Sequence, residues 1–497
     1  MRGLLVLLFM PGVIVEGIYP SVIVVGAGPS GIAAASRLLD NGITDITILE
    51  AEGRIGGRVN STKFGEYWVD LGGQWVHGEK NNAAYDLGDP LGLLSKSVGP
   101  GRVDEESPIY RCYTSQGEVI LKEIAKKLVI YAEEIPSDPS GMENLKTGSY
   151  GEHVNNKLYE FYDNHTEEIP DDMRRSLTHA VRLVMMSSEG AADLNDLSLK
   201  KIFEYEGTGG YQLVNWKERT YHTVLEILMK KIPNPEEELP VVNKTLLNKQ
   251  VIKIIYDEEG VIRLMTSDGT EYTADHVIFT TSLGVLKADH EKIFEPRLPE
   301  KNRNAIETLG FGQNAKILLY YDHPWWNTNE FVFNLITWTD SDRKEMENDP
   351  ERSWMLGIGF TVSVEYKPNL FFIWMSGPYC EAMENISEEL FKNQTIKFIE
   401  RFFGNHHHLT RPKDIIRSRW NTNENFRGSY SYPALASVDR DASPEDLGTP
   451  VTRNNKPVIL FAGEATEPHH YATVHGAIVS GWREADRLIN LYKNVLK

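Results

Sequence analysis

A glycine-rich turn near the start of the chain has the residue types and spacing of a nucleotide-binding loop. Gly26, Gly28 and Gly31 follow a short apolar run and lead directly into a helix-forming run. In this pattern the first glycine permits a tight turn, the second lets the backbone approach a pyrophosphate, and the third lets helix and strand pack closely. Glu50 ends the next predicted strand, where a carboxylate suits a ribose diol. The segment predicts a Rossmann-like dinucleotide site.

Two other segments bear on which dinucleotide binds. The glycines and arginines of 53–58 end at Arg58, whose guanidinium could contact a pyrophosphate. A domain that binds only NAD has no need of this second approach. Near the other end of the chain, a strand-like run leads into Gly463 and Glu464. The glycine turn alone allows NAD or FAD, and the combination favours FAD.

The distribution of strand and helix patterns predicts an α/β fold with a discontinuous Rossmann-like FAD-binding domain. A chain of 497 residues is long enough for two or three domains. An interleaved substrate domain of α+β character, with helices and a mixed sheet, accounts for the rest. The predicted segments are a signal peptide over 1–17, the FAD-binding domain over 18–100, 236–305 and 436–497, and the substrate domain over 101–235, which is helical, and 306–435.

Hydrophobic periodicity predicts the individual elements. One apolar helical stripe begins at Leu121, and a second runs from Leu177 to Met185. Strands are predicted over 22–25, 46–49, 251–256, 261–266, 277–279, 317–321, 332–338, 355–362, 370–375 and 458–464, and helices over 32–39, 388–403 and 477–496.

Charge and apolar runs limit the partners. The net charge of −19 argues against nucleic acid and anionic membranes as partners, and it would favour cationic ligands or serve solubility alone. No apolar run after the N-terminal one is long enough for a membrane helix, so no stable membrane anchor is expected. The sequence leaves the oligomeric state open.

The N-terminal residues and the glycosylation triplets predict a secreted, extracellular glycoprotein. Met1 and Arg2 precede an apolar run that ends at Glu16 and Gly17, which is the pattern of a secretory signal. A buried N-terminal strand is the alternative. Asn-x-Ser/Thr triplets, which also arise by chance, occur at Asn60, Asn164, Asn243, Asn385 and Asn393.

The cysteines and the histidine triplet do not predict a metal site. Cys112 and Cys380 are the only cysteines, and neither has the spacing of a metal ligand. An oxidising compartment would permit one disulfide between them. The triplet 406–408 lies in a polar loop, where solvated histidines are the simpler interpretation.

Four ordered motifs together resemble the flavin-containing amine oxidases. They are the glycine turn, Arg54-Ile-Gly-Gly-Arg58, the segment 70–78 with sequence DLGGQWVHG, and the C-terminal pair of segments 463–466 and 475–481. Within that family the sequence is most similar to the polyamine and spermine oxidases of animals. The similarity covers about 21–490 and is weakest in the helical region between about 100 and 235.

The resemblance implies a set of residues around FAD. Ser30 and Glu50 would serve the ADP half, Val251 the adenine, and Glu464 the ribityl chain or the pyrophosphate edge. For two aromatic residues near position 420, core packing is the alternative interpretation. The implied cofactor-binding residues are Gly26, Gly28, Ser30, Gly31, Glu50, Arg58, Gly73, Gln74, Trp75, Val76, Val251, Trp420, Phe426, Gly463, Glu464 and Thr473.

The resemblance also implies catalytic positions. Lys316 matches the family lysine that holds a water near the flavin, and it is one cation in an otherwise apolar strand. His77 would face the substrate amine. Tyr430 matches one wall of the family's aromatic cage, and Thr473, with Tyr471 nearby, occupies the place of the other wall. Monoamine oxidases attach flavin to a cysteine where this chain has Ser429, so FAD is expected to bind non-covalently.

The expected reaction follows from these residues. A hydride equivalent would pass from the carbon beside nitrogen to the flavin, and O2 would be reduced to hydrogen peroxide. A polyamine oxidase is the first interpretation, with a small cationic amine and O2 as partners. Alternatives are an L-amino-acid or monoamine oxidase and a secreted flavoprotein without catalysis. Glu204 and Glu206 are candidates to hold the distant ammonium groups of the substrate. The simpler interpretation is that both carboxylates are exposed to solvent.

Overall fold

The computed structural model describes residues 20–97, 109–120, 122–135, 148–166, 169–202, 204–256, 260–328 and 330–493. The predicted signal peptide and Leu121 lie outside these residues.

The strands and helices follow in chain order, apart from short 3-10 turns. The strands are β1 Val22–Val25, β2 Ile46–Leu49, β3 Ser61–Phe64, β4 Tyr67–Asp70, β5 Ser95–Lys96, β6 Ile109–Thr114, β7 Val119–Ile120, β8 Val214–Asn215, β9 Thr245–Leu246, β10 Val251–Ile255, β11 Ile262–Thr266, β12 Glu271–Ala274, β13 His276–Phe279, β14 Phe294–Glu295, β15 Gly310–Phe311, β16 Asn314–Tyr320, β17 Val332–Thr337, β18 Ile358–Ser363, β19 Leu370–Ser376, β20 Asp414–Arg417, β21 Ser431–Tyr432, β22 Val451–Arg453 and β23 Lys456–Phe461. The helices are α1 Pro29–Asp40, α2 Ala83–Gly88, α3 Lys122–Glu134, α4 Tyr150–Asp163, α5 Asp171–Glu189, α6 Leu199–Ile202, α7 Thr223–Leu228, α8 Leu283–Ile293, α9 Glu300–Thr308, α10 Asp340–Glu347, α11 Tyr379–Asn385, α12 Glu388–Phe403, α13 Leu435–Asp439, α14 Pro444–Leu447 and α15 Val474–Tyr492.

A six-stranded sheet carries the glycine turn. Its strand order is β22-β23-β13-β1-β2-β9, and every pairing is parallel except that of β22 with β23. Alternate residues of β1 enter two different apolar cores, so the strand is buried on both faces, as its continuous apolar run predicts. The chain supplies this sheet from three separate stretches of sequence, as a discontinuous α/β domain requires.

The helix after the glycine turn packs against the C-terminal helix. A Cβ on Gly481 of α15 would lie 2.2 Å from the carbonyl oxygen of Ser30 in α1, so only glycine permits this approach. A Cβ on Gly31 would lie 2.0 Å from the carbonyl oxygen of Gly26, which is the close helix–strand contact expected of the third glycine. The two contacts fix the start of α1 relative to β1.

A seven-stranded mixed sheet forms the second part of the molecule. Its order is β20-β16-β19-β18-β17-β6-β7, and β17 with β6 is its parallel pair. Helix α5 packs on β17, β18 and β19, and α3 packs on β6. Strands from 109–120 and 314–417 therefore build one sheet with the helices of the intervening region against it. The exact domain boundaries stay predictions.

One predicted strand was wrong in its first residues. The strand predicted over 355–362 begins only at Ile358, because Ser353–Gly357 forms a 3-10 helix. This turn inserts the fully buried Trp354 into the core, where its indole Nε1 donates to Oε1 of Gln394 at 2.6 Å. The apolar run over these residues fits either structure.

The predictions about cysteines and membrane spans can be compared with the described residues. Cys112 and Cys380 are both buried and both free. Within the described ranges, no helix has the length and apolar character needed to cross a membrane.

Candidate functional site

A cavity of about 1250 Å³ runs between the two sheets. Its lining includes the glycine turn, the segments 71–77 and 249–252, strand β16 and residues around 426 and 473. The sequence motifs are therefore brought together around a single space, which is large for a small-molecule site.

The nucleotide end of the cavity is formed by the glycine turn and Glu50. Helix α1 begins at Pro29 with no side-chain cap, so its first N–H groups are available to an anion. Glu50 is 6% exposed, and its carboxylate accepts from the backbone N–H of Ala27 at 2.7 Å and of Glu52 at 2.8 Å. Burial raises the pKa of Glu50, while these two hydrogen bonds lower it. The carboxylate retains acceptor capacity for ribose hydroxyls.

Two glycines from different motifs make a backbone cradle beside this end. A Cβ on Gly57, whose φ is +53°, would lie 3.2 Å from Cα of Gly28. Side chains at these positions would fill the space between the turn and the segment that carries Arg58. The close contact explains why both motifs contain glycine, because a side chain at either position would push the two backbones apart.

Arg58 and Glu464 form an ion pair at the centre of the site. Nη1 of Arg58 lies 2.9 Å from Oε1 of Glu464 and also donates to the carbonyl oxygen of Ser429 at 2.6 Å. The other oxygen of Glu464 accepts from Oγ of Ser431 at 2.6 Å and from the N–H of Ala472 at 2.9 Å. The second motif, which ends at Arg58, and the C-terminal motif are therefore joined directly.

Lys316 lies on β16, 3% exposed, with its ammonium directed at the segment that follows β4. Nζ donates to the carbonyl oxygens of Asp70 at 3.3 Å and Gly72 at 2.6 Å and to Oε1 of Gln74 at 2.9 Å. The rings of three aromatic residues lie 5.4–5.8 Å from Nζ, namely Trp75, Phe372 and Trp374. Burial lowers the pKa of Lys316, and the nearby Asp70 raises it. An ordinarily cationic group is thus held at the cavity wall in a setting that favours proton loss.

Trp420 and Phe426 line the cavity and are both 7% exposed. Their rings meet edge to face with centroids 5.2 Å apart, and Trp420 Nε1 donates to the carbonyl oxygen of Leu71 at 3.2 Å. The pair serves both interpretations, because it packs together and also forms part of the wall.

Glu384 holds the segment that carries Trp420, and the sequence interpretation missed it. The residue is fully buried at the end of α11, far from any recognised motif. Its carboxylate accepts from the backbone N–H groups of Trp420, Asn421 and Thr422 at 2.7–3.2 Å. It also accepts from the side chains of Asn421 and Thr422 at 2.8 Å. Its burial and its partners at 420–422 are visible only in the structure.

The expected aromatic cage is only partly formed by the predicted residues. Tyr430 lines the cavity, and its hydroxyl donates to the carbonyl oxygen of Ser187 at 2.8 Å. Thr473 caps α15 by accepting from Gly476 N–H at 3.0 Å, and its hydroxyl donates to the carbonyl oxygen of His470. Thr473 borders the cavity but is occupied as a cap, and the aromatic side chain there is Tyr471, which is 7% exposed.

Two histidines line the cavity, and the pKa of each is lowered. Nδ1 of His77 lies 3.1 Å from the carbonyl oxygen of Gln212, so Nδ1 carries the proton and Nε2 can accept one. Burial lowers the pKa of His77, and burial with His470 and His77 nearby lowers the pKa of His475 to about 3. His475 also lines the cavity and was not predicted.

Acidic groups at the cavity differ from those expected. Glu204 pairs with Lys201 at 2.5 Å and Glu206 lies 3.4 Å from His469, and neither belongs to the lining among the described residues. Glu189, the last residue of α5, does line the cavity. Burial raises the pKa of Glu189 to about 7. A second acid on the lining, Glu133, has its pKa raised to about 7 by burial.

Glu189 lies among tyrosines. The following residue, Gly190, has φ of +71°, and a Cβ there would lie 2.4 Å from the ring of Tyr430. The charge of Glu189 also acts on Tyr205 and Tyr471, whose rings meet edge to face at 5.0 Å. One carboxylate in an aromatic wall is a suitable site for an organic cation.

The remaining predicted residues fall into three groups. Val251 of β10 is 9% exposed and borders the cavity beside Gln250 and Ile252. Val76 lies outside the lining, because its N–H and C=O pair with those of Val214 at 2.9 Å. Gly31 acts by packing, as described above. The cavity lining contains Gly26, Gly28, Ser30, Glu50, Arg58, Gly73, Gln74, Trp75, Val251, Trp420, Phe426, Gly463, Glu464 and Thr473.

The donor set fits FAD. The uncapped start of α1 and the glycine cradle suit a pyrophosphate, and the carboxylate of Glu50 suits the adenosine ribose. Apolar and aromatic side chains along 71–75 and at Trp420 suit the flat isoalloxazine ring. Ser429, where a cysteine would be needed for a thioether, donates its hydroxyl to the carbonyl oxygen of Gly312 at 3.0 Å.

The chain is similar to known proteins in sequence and in fold. Residues 29–489 match the family described as flavin containing amine oxidoreductase. The chain is 29% identical to the human peroxisomal N(1)-acetyl-spermine/spermidine oxidase, covering 93% of each chain. It is 30% identical to polyamine oxidase 4 of rice, covering 92% of this chain and 86% of the relative.

A solved structure has the same fold. A redesigned double mutant of putrescine oxidase superposes with a TM-score of 0.64 at 18% identity, covering 95% of this chain and 99% of the other.

Glu384→Gln is expected to weaken FAD binding. The amide would present N–H groups to backbone N–H donors, which detaches the segment of Trp420 from its support. The loss of charged hydrogen bonds should weaken FAD binding by about tenfold or more. Titration of the flavin-free protein with FAD, followed by flavin fluorescence, measures this. Glu381→Gln, on the exposed side of the same helix, is the control, and equal affinities in the two variants would contradict the assigned role.

Proposed function

The chain belongs to the flavin-containing amine oxidase family and is an FAD-dependent enzyme, and we propose that it oxidises polyamines. The proposed substrates are spermine, spermidine or their N-acetylated forms, attacked at a carbon next to the secondary amine. When bound, FAD would supply the two-electron oxidation at that carbon with O2 as the final acceptor, so that the polyamine, water and O2 would give an aldehyde, a shorter amine and hydrogen peroxide. The proposal rests on the carboxylate of Glu189 within a tyrosine-lined part of the cavity.

The charges around the cavity suit a substrate with several amino groups. Only the neutral amine can donate hydride, so the reacting nitrogen needs a setting that favours its deprotonation. Aromatic rings and His77, whose pKa is lowered by burial, supply that setting, and Nε2 of His77 can accept a proton. Glu189 can hold a second, distant ammonium group, which a monoamine lacks. The names of relatives such as the human enzyme support the same substrate class.

The arginines of the lining bear on the amino-acid oxidase alternative. Among the described lining residues they are Arg58, paired with Glu464, and Arg427, which lies 3.3 Å from Asp289. Both guanidinium groups have acidic partners, so neither is set to clamp a substrate carboxylate. This arrangement favours an amine without a carboxylate as substrate.

Peroxide release with four substrates tests the proposal. Spermine or N-acetylspermine should give hydrogen peroxide, while phenylethylamine and leucine should give little. Acid precipitation should leave yellow flavin in the supernatant, because Ser429 cannot form a thioether. Turnover of leucine alone would contradict the proposed substrate class. Absence of turnover with all four substrates, although FAD is bound, would favour a non-catalytic flavoprotein.

Glu189→Gln is expected to raise KM for spermine by about fivefold or more, because a distal ammonium group loses its charged partner. kcat for spermine should change less than KM, since Glu189 is placed at the distant ammonium group and not at the reacting nitrogen. Glu204→Gln is the matched control, as Glu204 is exposed and paired with Lys201. Steady-state kinetics with spermine measure the difference, and equal effects of the two variants would remove Glu189 from the substrate site.

The pH dependence of KM should report the same residue. Because burial raises the pKa of Glu189 to about 7, its carboxylate is charged above that pH and neutral below it. KM for spermine should therefore rise as the pH falls through about 7 in the natural protein. The rise should be absent in Glu189→Gln.

We also propose that the protein is secreted. The N-terminal pattern of 1–17 and four exposed triplet asparagines support this, namely Asn164, Asn243, Asn385 and Asn393. Asn60 is half-buried. When the full chain is expressed in animal cells, the protein should be recovered from the culture medium without residues 1–17. Its mass should fall on treatment with an N-glycosidase. Intracellular, unglycosylated protein that keeps its first residues would contradict secretion.

A further inference from the structure

Three charged residues from three elements are buried together behind the flavin cavity. Lys316 lies on β16, Asp70 ends β4, and Lys367 lies in the turn between β18 and β19. Their exposed fractions are 3%, 8% and 7%. The group contains two cationic side chains and one anionic side chain, and burying each of these charges is energetically unfavourable.

All three hydrogen-bond acceptors of the Lys316 ammonium group are uncharged. Its three donors reach two carbonyl oxygens and the amide oxygen of Gln74. Three acceptors match the three N–H groups of an ammonium, but none of them carries a charge. The proton on Lys316 therefore depends on charges just beyond these contacts.

Asp70 is the nearby negative charge, and its position is fixed. Its carboxylate accepts from Oγ of Ser61 at 2.7 Å and from the N–H of Tyr221 at 3.1 and 3.3 Å. Burial raises the pKa of Asp70 to about 6, while the charges of Lys316 and Lys367 act to lower it. Tyr221 is the other titratable group beside it. The carboxylate is thus held on the side of Lys316 away from the main cavity.

Lys367 lines the same small cavity as Asp70. Its Nζ donates to the carbonyl oxygens of Lys217 at 3.5 Å and Arg219 at 3.2 Å, and Glu218 is the other acid that acts on it. A second cavity of about 20 Å³, enough for one water, is lined by Asp70, Gln74 and Lys367, with Trp216 and the exposed Arg219. Gln74 lines both cavities, so the charged residues of the small cavity lie directly behind the wall of the main one.

The two neighbours act on Lys316 in opposite senses. The negative charge of Asp70 favours the ammonium form, and the positive charge of Lys367 favours the neutral amine. We propose that Asp70 and Lys367 are an opposed pair of positioning residues that together set the protonation state of Lys316 from behind the cavity wall. Neither residue needs to touch substrate or cofactor to do so.

The proposal predicts shifts of opposite sign in two variants. Asp70→Asn removes the negative charge and keeps the size, so Lys316 should lose its proton at a lower pH by about one unit or more. Lys367→Met removes a positive charge and keeps the apolar stem, so Lys316 should lose its proton at a higher pH. A purely structural role for either residue would not give opposite shifts.

Tryptophan fluorescence of the FAD-bound full chain, titrated with pH, measures the change without substrate. Nζ of Lys316 lies 5.8 and 5.4 Å from the rings of Trp75 and Trp374, so the change assigned to it must disappear in Lys316→Met. The rate of flavin reduction by spermine should also depend on the protonation of Lys316. Its midpoint in the pH profile should shift in the same direction as the fluorescence midpoint. Lys413→Met, which removes an exposed charge paired with Asp322 near β20, is the control and should leave the midpoint in place.

The outcomes separate this proposal from the proposed substrate. The rate of flavin reduction by spermine rests on the proposed polyamine oxidation. The pH midpoint of tryptophan fluorescence is measured without substrate and does not. Opposite shifts, with recovery in Asp70→Glu, support the proposal even if spermine is not oxidised. Shifts of the same sign, or none, overturn it even if spermine is a good substrate. If Asp70→Asn does not fold, Lys367→Met alone decides, since an unmoved or lowered midpoint overturns the proposal.

Discussion

The hydrogen bonds of one buried ammonium group hold the two parts of the site together. Lys316 belongs to the seven-stranded sheet, and its acceptors at Asp70, Gly72 and Gln74 belong to the end of β4 and the segment that follows it. Burying this group would be unfavourable without three acceptors, so the distance between the two parts is constrained at this point. Two of the rings near Nζ, those of Trp75 and Trp374, form part of the cavity wall.

Buried carboxylates fix the other walls by the same means. Glu384 binds the backbone N–H groups of 420–422, and Glu464 binds Arg58, Ser431 and Ala472. Each acid joins segments distant in sequence, because a charged acceptor satisfies several donors that an irregular loop would otherwise bury unpaired. The cofactor site is therefore formed by loops whose positions depend on charge as much as on apolar packing.

The parts of the fold that the sequence predicted well are those with local signals. The glycine turn, β1 and β2, and the helix 388–403 depend on spacing within one segment, and the helix has the predicted bounds. The strand predicted from 355 was wrong at its start because burial of Trp354 decided the backbone, and an apolar run does not distinguish strand from 3-10 turn. Lys316 stood out as one cation in an apolar strand.

Glu189, Glu384 and Asp70 could not be assigned in the same way. Their roles depend on partners far away in the chain, such as Tyr430 and Tyr471 for Glu189. A weak local signal existed for Glu189, since an acid at the C-terminal end of a helix opposes the helix dipole. Thr473, which was expected at one wall of the aromatic cage, is the N-terminal cap of α15. Its place in the sequence motif does not reveal this role.

Anaerobic mixing of the FAD-bound protein with spermine tests the central claim most directly. Without O2, hydride transfer from the amine bleaches the visible absorption of the flavin in a single turnover. Rapid bleaching by spermine, with slow or no bleaching by leucine and phenylethylamine, is the predicted result. Bleaching by leucine but not by spermine, or an unchanged flavin spectrum with every amine, would contradict the account.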